Sequence, residues 1–331
     1  MAGRRRKKSG GRSYAWRYRG RIVACVFVEV IIICALVIMF GWNKGVKEWF
    51  EQFEQPVLKE VDISGINSPN AILMQARGGK ILGEINGEAQ IYPASMTKIM
   101  TVILGIENFD DLDEKITLTD EMFAGLYEQD ATQAGFQPGE EVRVIDLLYG
   151  AMLPSGAECC IALADTISGS EADFAELMNK KARKLGMENT HFCDSTGLHN
   201  PDHYSTVKDI AVLMKYCIKN DTFREIVETS RHSTGVTNIH PDGITYYSTM
   251  FKNLSDPTVT GGKILGGKTG YTSEAGHCLV SFAEIEGREY IFVSAGASGA
   301  DGNTIPHIQD AVTVYNRVGA AIEAKMNNNN K

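Results

Sequence analysis

A serine and a lysine that could act together stand in the stretch YPASMTKIMT, residues 92–101. Ser95 precedes Lys98 by three residues, and side chains three residues apart on a helix lie on the same face. A serine hydroxyl is a weak nucleophile until a base takes its proton. Apolar neighbours such as Ile99 and Met100 would disfavour the charged form of the lysine and lower its pKa. The pair therefore has the composition of a nucleophile and its general base.

This spacing is weak evidence when it is taken alone. It recurs at Ser205 and Lys208, where the letters STVKD are typical of a helix N-terminus with Ser205 or Thr206 as the cap. For Lys98 the structural alternative is a side chain that lies along the apolar surface and keeps its ammonium in water. The other segments of the chain have to decide between these interpretations.

Two later segments carry polar residues that fit the same chemistry. MLPSGAECCIALAD, residues 152–165, places Ser155 at the junction of two predicted helices. GGKTGYTSEAGHCLV, residues 266–280, places Lys268 at the head of a predicted strand. Taken one at a time, Ser155 could be a helix cap and Lys268 an ordinary exposed lysine.

The order of these segments resembles the penicillin-recognising serine hydrolases, and within them the low-molecular-weight D-alanyl-D-alanine carboxypeptidases, which are penicillin-binding proteins. GMENTHFCDSTGLHNPDHYSTVKDIAVL, residues 186–213, is similar to the signature segment of the same family. The resemblance extends roughly over residues 63–323. It implies a serine-type carboxypeptidase that removes the terminal D-alanine of peptidoglycan stem peptides.

The resemblance also implies a role for each polar side chain of the reaction. Ser95 would attack the penultimate D-alanine carbonyl and form an acyl-enzyme, while Lys98 takes the serine proton. Ser155 would relay a proton towards the leaving amine. β-Lactam antibiotics are expected to acylate the same serine, because their strained amide mimics the substrate.

The strand with the letters KTG is implied to bind the substrate. Lys268 would supply positive potential for the terminal carboxylate of the substrate, and Thr269 would hydrogen-bond it. Gly270 would let the strand backbone approach the substrate closely. The backbone N–H groups of Ser95 and Tyr271 would form the oxyanion hole.

One position departs from the family pattern. The second motif of the family is Ser-x-Asn, and the third residue here is Ala157. An alanine has no amide to hold the substrate and orient the lysine, and each lost hydrogen bond of this kind costs about 1–3 kcal/mol. Two alternatives therefore stay open. One is a catalytically weak or inactive wall-binding homologue, and the other is a DD-endopeptidase or β-lactamase with the same acyl-enzyme chemistry.

Charge is distributed unevenly along the 331 residues, whose formal net charge is −8. Residues 1–21 hold nine Lys and Arg and no acid, which predicts a cytoplasmic tail. Residues 22–40 form an apolar run that is long enough for one transmembrane helix. Met39-Phe40-Gly41-Trp42 is a poor cleavage site, which favours an uncleaved anchor over a signal peptide. We expect a single-pass protein of the cell membrane whose catalytic part is extracellular.

Composition also indicates which partners and ligands to exclude. The residues after the apolar run are acidic and contain no basic stripe, so nucleic acid is not an expected partner. The seven cysteines include no C-x-x-C pair and no spacing with histidine that is typical of a zinc site. Buried free thiols are expected, with no disulfide framework, no metal ion and no cofactor.

The chain is predicted to divide into further parts after the membrane segment. Residues 41–62 are interpreted as a stalk, residues 63–323 as a DD-peptidase-like catalytic domain, and residues 324–331 as a disordered tail. Two hairpins, at Gly78-Gly79 and at Glu286-Gly287, bracket mostly helical patterns.

These patterns predict an α/β (α+β) fold. An antiparallel sheet is built from both chain ends and flanked by helices, and a mostly helical lobe is inserted between its strands. The resemblance to DD-peptidases and β-lactamases implies the same architecture, here preceded by one transmembrane helix.

Overall fold

The computed structural model describes residues 58–254, 256–299 and 305–329. The predicted cytoplasmic tail and the predicted membrane segment, residues 22–40, lie outside these ranges. Within the ranges, no helix combines the length and the apolar character that a membrane crossing needs.

The described elements follow one another as two strands, a mostly helical lobe, four strands and a final helix. The first are β1 (Asn70–Gln75), β2 (Ile81–Ile85), a 3-10 turn (Ala94–Thr97) and α1 (Lys98–Asn108). The lobe contains β3 (Lys115–Thr117), a 3-10 turn (Asp120–Phe123), β4 (Glu141–Arg143), α2 (Val144–Met152), α3 (Ala157–Ser168), α4 (Glu171–Leu185), α5 (Val207–Cys217), α6 (Asp221–Glu228), β5 (Arg231–Ser233), β6 (Thr245–Tyr247) and α7 (Thr249–Asn253). The last are β7 (Thr258–Val259), β8 (Gly262–Thr272), β9 (Gly276–Ile285), β10 (Arg288–Ala297) and α8 (Pro306–Asn329).

The main sheet joins strands from the two ends of the described chain. Its order is β2-β1-β10-β9-β8-β7, and all its neighbours are antiparallel. Strand β1 pairs with β10, with Leu73 opposite Phe292, although the whole helical lobe separates the two strands in the sequence. The predicted α+β architecture, with its sheet built from both chain ends, is confirmed.

The two faces of the sheet bury different cores because successive side chains of a strand point to opposite sides. On β1, Ile72 packs into the core shared with the helical lobe, whereas Leu73 packs into the core beneath α8. On β10, Val293 and Phe292 divide in the same way. The first core contains α1, so the predicted nucleophile and base are placed against the face of the sheet that meets the lobe.

Helix ends follow their local sequence. The α4 helix begins after Ser170, whose side chain accepts from the Asp173 N–H, and ends at Gly186 with a left-handed φ of 80°. Of the two predicted caps of α5, the structure selects Thr206, whose side chain accepts from the Asp209 N–H. The second Ser-x-x-Lys match therefore belongs to a helix start.

Two predicted boundaries need correction. The α8 helix continues to Asn329, so the prediction of a disordered tail from residue 324 is wrong for residues 324–329. At the other end, Leu58 and Val61 are buried in the core beneath α8, so the last residues of the predicted stalk are part of the folded domain. Met326 packs against the same core as Leu58 and Val61, so the predicted domain core reaches past both predicted boundaries.

Candidate active site

The predicted nucleophile and base meet at the start of α1. Ser95 lies in the 3-10 turn before the helix, and Lys98 is the first residue of the helix. Lys98 Nζ is 3.1 Å from Ser95 Oγ. The Lys98 side chain is only 3% exposed, so the alternative of an ammonium in water is wrong.

Burial shapes the protonation of Lys98. Removal from water disfavours the ammonium and lowers the pKa of Lys98, while the carboxylates of Asp194 and Glu158 oppose part of this shift. The neutral amine that a general base requires is therefore favoured relative to an exposed lysine.

A second serine and lysine pair lies on the other side of the cleft. Lys268 Nζ donates to Ser155 Oγ at 3.0 Å and to the Thr269 carbonyl at 2.8 Å. Lys268 is 1% exposed, so the alternative of an exposed strand lysine is wrong. Burial, and then the charge of Lys98, hold the pKa of Lys268 well below its usual range.

The backbone at both serines adopts an unusual conformation. Ala94, which precedes the nucleophile, has φ of +46°, and Ser155 itself has φ of +74°. Both values lie in the left-handed region, which non-glycine residues adopt rarely and often at functional sites. The cap position of α3 is taken by Gly156 with no side-chain cap bond, so the interpretation of Ser155 as a helix cap is wrong.

Gly270 allows β8 to pass directly beside the nucleophile. A Cβ at this position would lie 3.0 Å from the Ser95 amide nitrogen and 3.1 Å from the Ala94 Cβ. The sequence predicted a close approach of this strand to the substrate, whereas the structure shows its close approach to the Ser95 segment. The absence of a side chain at Gly270 therefore allows the two walls of the cleft, β8 and the Ser95 segment, to pack closely against each other.

The predicted site residues line one cleft of about 970 Å³. Lys98 is the exception, because it lies behind Ser95 and does not line the cleft. Tyr271, which follows the KTG letters, is 61% exposed and contacts the ring of His277 at a centroid distance of 4.7 Å. The predicted residues that line the cleft are Ser95, Ser155, Lys268, Thr269, Gly270 and Tyr271.

Comparison with known proteins agrees with this geometry. The profile of peptidase family S11, described as D-alanyl-D-alanine carboxypeptidase, matches residues 57–299. The chain belongs to this family. The D-alanyl-D-alanine carboxypeptidase DacF of Bacillus subtilis is 35% identical over 231 residues, which are 69% of this chain and 57% of that protein. DacC of Escherichia coli is 33% identical, over 72% of this chain and 58% of that protein. The chain thus spans less than two thirds of these two relatives.

A relative from Streptomyces matches over more of its length. The D-alanyl-D-alanine carboxypeptidase of Streptomyces strain K15 is 35% identical, over 69% of this chain and 78% of that protein. A solved structure described as the Streptomyces K15 DD-transpeptidase superposes with a TM-score of 0.69 at 29% identity, over 79% of this chain and all of that one. The folds therefore agree across the whole K15 chain.

Ala157, where the chain departs from the family pattern, lies at the start of α3. Ala157 is buried as the first residue of α3 and presents no polar side-chain atom. The next residue, Glu158, accepts from the backbone amides of Ala134 and Gly135, at 2.6 Å and 3.0 Å. The Glu158 carboxylate therefore anchors the loop that contains Ala134 and Gly135. Burial raises the pKa of Glu158.

Several functional contacts escaped the sequence analysis. The Thr196 carbonyl accepts from Lys98 Nζ at 2.7 Å, and Thr249 Oγ1 lies 2.7 Å from Thr269 Oγ1. Thr196 lies in the segment recognised as a family signature, where the order Asp-Ser-Thr-Gly is typical of a side-chain-capped turn. Nothing in the letters around Thr249 pointed to the cleft.

The described cysteines are all free. Cys159, Cys160, Cys217 and Cys278 are buried, as expected, whereas Cys193 is half-buried. Among the residues that the structure describes, no three His, Cys, Asp or Glu side chains are grouped as ligands of a metal ion.

Proposed function

We propose that this protein is a serine-type D-alanyl-D-alanine carboxypeptidase that removes the terminal D-alanine of peptidoglycan stem peptides. The observation that carries the proposal is the 3.1 Å contact between Ser95 Oγ and the buried Lys98 amine. It supplies a nucleophile that lines the cleft and a base of lowered pKa bonded to it, and a second buried lysine, Lys268, lines the same cleft. Family membership supports the same reaction.

The acylation step follows from these contacts. Ser95 Oγ attacks the penultimate D-alanine carbonyl, and its proton passes to the neutral Lys98 amine. Ser155 then gives its hydroxyl proton to the leaving D-alanine nitrogen and recovers one from Lys98 or Lys268, the second of which lies 3.0 Å from it. The new ester joins Ser95 to the shortened peptide, and water later hydrolyses it.

The strand wall would recognise the end of the substrate. Lys268 is buried, and its hydrogen-bond partners among the described residues include no carboxylate, so an incoming terminal carboxylate would stabilise its ammonium form. Thr269 offers a hydroxyl beside it in the same cleft. The Ser95 and Tyr271 amides would bind the developing oxyanion.

We also propose where the protein works. The apolar residues 22–40 would anchor it in the cell membrane with the basic tail in the cytoplasm and the folded domain outside, next to peptidoglycan. β-Lactams would acylate Ser95 and persist there, because the chain has no recognisable Ser-Asp-Asn motif or deacylating glutamate loop of the class A β-lactamases.

The experiment uses the full chain in detergent and measures labelling by fluorescent penicillin together with D-alanine release from a pentapeptide. Ser95→Ala should abolish both. Ser205→Ala, which changes the other Ser-x-x-Lys match, should retain both. Equal labelling of Ser95→Ala and wild type would refute the assignment of the nucleophile.

The same assay separates the alternative functions. An inactive wall-binding homologue would label without releasing D-alanine, and a β-lactamase would release its label quickly. Cleavage of a cross-linked dimer in preference to the pentapeptide would indicate an endopeptidase. Addition of an amino acceptor tests for transfer of the acyl group, because the Streptomyces K15 relative carries both the carboxypeptidase and the transpeptidase description.

A further inference from the structure

Within the part of the chain that the structure describes, the Lys98 amine has one hydrogen bond besides its contact with Ser95. Its Nζ donates to the Thr196 carbonyl oxygen at 2.7 Å. A neutral amine has two N–H groups and one lone pair, and a carbonyl oxygen can only accept. With one N–H directed at Thr196, rotation of the amine is restricted and its lone pair can face Ser95 Oγ, 3.1 Å away. The position of the Thr196 carbonyl therefore decides how well the base is aimed.

Asp194 holds the peptide that carries this carbonyl. One of its oxygens, Oδ1, accepts from the Thr196 N–H, the Thr196 hydroxyl and the Gly197 N–H, each at 2.7 Å. Such a turn, in which a carboxylate binds the backbone two and three residues ahead, restricts the peptide between them. Burial opposes the charge of Asp194, but His203 and these donors hold its pKa at about 2.

The turn is pressed against the segment that contains the nucleophile. Gly197 has φ of +81°, and a Cβ there would lie 1.9 Å from the Ala94 carbonyl oxygen. Next to it, the Ser195 carbonyl accepts from Thr101 Oγ1 at 2.6 Å, one turn further along α1. The turn is thus fixed to the same helix at two carbonyls, those of Ser195 and Thr196.

His203 connects this turn to the helix a third time. It is 2% exposed, with Nδ1 3.1 Å from Asp194 Oδ2 and Nε2 2.9 Å from Thr97 Oγ1. The Cys193 N–H is directed at the same Nδ1, at 3.2 Å. Because the carboxylate of Asp194 can only accept, its hydrogen bond with His203 uses a proton on Nδ1, and Nε2 then accepts from the Thr97 hydroxyl. Thr97 is the residue immediately before the base.

We propose that Asp194 and His203 are positioning residues for Lys98: they hold the Thr196 carbonyl where it directs the amine at Ser95. Ala157 has no side-chain group for this task. The inference rests on the proposed function, because it assumes that Lys98 is the base for Ser95. A main-chain carbonyl, held by a half-buried aspartate and a buried histidine, orients the lysine in this chain.

The charged groups around the pair determine the expected pH effect. Lys98 faces Asp194 and Glu158, the thiols of Cys159 and Cys160, and the Lys268 amine. Asp194 in turn faces His203 and, from α4, Glu171. The Asp194 carboxylate favours the ammonium form of Lys98, so its neutralisation should lower the pKa of the base.

The experiment measures acylation of the full chain by fluorescent penicillin in stopped flow, which separates noncovalent binding from the acylation rate constant. His203→Gln keeps a nitrogen near Nε2 and loses the contact with Asp194, whereas His203→Asn keeps the nitrogen near Nδ1. We expect His203→Gln to lower the acylation rate constant by about 10- to 100-fold, since one buried hydrogen bond to a charged group is lost. Noncovalent binding of penicillin to His203→Gln should stay unchanged. The acylation rate constant of His203→Asn should lie between those of His203→Gln and wild type.

His240→Gln is the matched control. His240 also binds a buried carboxylate through Nδ1, that of Glu140 at 2.8 Å, and neither residue lines the cleft. This variant should acylate within about twofold of wild type, as expected for a site away from the chemistry. An equal loss in His203→Gln and His240→Gln would overturn the proposal, as would an unchanged rate in a folded His203→Gln protein.

Two further variants keep the test decisive if His203→Gln does not fold. Asp194→Asn retains an acceptor for the turn and should shift the acid limb of the acylation profile to lower pH, which a purely structural defect would not do. Thr97→Val should slow acylation several-fold without changing binding. The positioning role of Asp194 and His203 is refuted if both variants keep the wild-type acid limb of the acylation profile and the wild-type acylation rate constant. Absence of labelling in wild type would instead refute the proposed function itself.

Discussion

Two buried lysines approach the same cleft from different secondary structures. Lys98 opens a helix, Lys268 lies within a strand, and each binds one serine hydroxyl and one backbone carbonyl. Their surroundings differ in charge, because carboxylates lie near Lys98, whereas the charge that acts on Lys268 most strongly is that of Lys98. Similar contacts therefore suit one lysine to take a proton and the other to receive an anion.

Burial alone does not assign a role to either lysine. Both amines are removed from water, and burial lowers the pKa of both. What separates them is the nearest anion: Asp194 lies beside Lys98, whereas the anion for Lys268 under the proposed function is the carboxylate of the substrate.

The largest expected effect comes from exchanging Lys98 for a cation that does not lose its proton. Arginine stays protonated at any pH of interest, so Lys98→Arg places a permanent cation there and removes the base. We expect the acylation rate constant to fall by about 10²- to 10⁴-fold. Stopped-flow labelling measures it, with circular dichroism to verify the fold. A folded Lys98→Arg protein that acylates normally would exclude Lys98 as the base.

The pH dependence of wild-type acylation sharpens the same contrast. A base acts only when it is unprotonated, so the rate should rise with pH through the lowered pKa of Lys98 and level off below the ordinary lysine value of about 10.4. Below the inflection the rate should drop about tenfold for each pH unit, as the neutral fraction does. An inflection at the value of an exposed lysine would contradict the assignment.

Lys268 should matter for recognition of the carboxylate. Lys268→Met removes the amine but keeps a side chain of similar length, so we expect kcat/KM for a pentapeptide to fall by about 10- to 100-fold. The matched substrate is the same peptide with a carboxyl-terminal amide. If Lys268 binds the carboxylate, Lys268→Met should lower kcat/KM only slightly for the amide substrate. Equal losses with both substrates would place the role of Lys268 elsewhere.

The smallest expected effect concerns Thr249. Its hydroxyl lies 2.7 Å from Thr269 Oγ1, and its N–H donates to the Leu153 carbonyl, two residues before Ser155. Thr249→Val should raise KM several-fold by releasing the Thr269 hydroxyl. Thr249→Ser, which keeps the hydroxyl, should behave like wild type. If both variants match wild type, Thr249 only fills space between the two walls.

Much of the fold could be predicted because its signals are local. Glycines placed the two hairpins, at residues 78–79 and 286–287, and periodic apolar residues predicted the mostly helical lobe between them. The predicted tail was wrong because an isolated run of asparagines has little helix propensity. In the protein it continues α8, whose earlier turns are buried against the sheet.

The candidate site also has one part that local sequence predicts and another part that it does not. Ser95 and Lys98 could be paired from the letters alone, since three residues of helical backbone bring their side chains together wherever the helix lies. The sequence also identified Ser155 and Lys268, but only by resemblance, because a contact across 113 residues has no local signature.

By itself the sequence determined which groups are available for chemistry and which of them are neighbours along one helix. Tertiary structure alone decided that Lys98 is buried, that the Thr196 carbonyl reaches it across 98 residues, and that Asp194 and His203 hold this carbonyl. The physical reason is that local geometry follows from the backbone of a few residues. Burial and the aim of a lone pair depend on how distant segments pack around them.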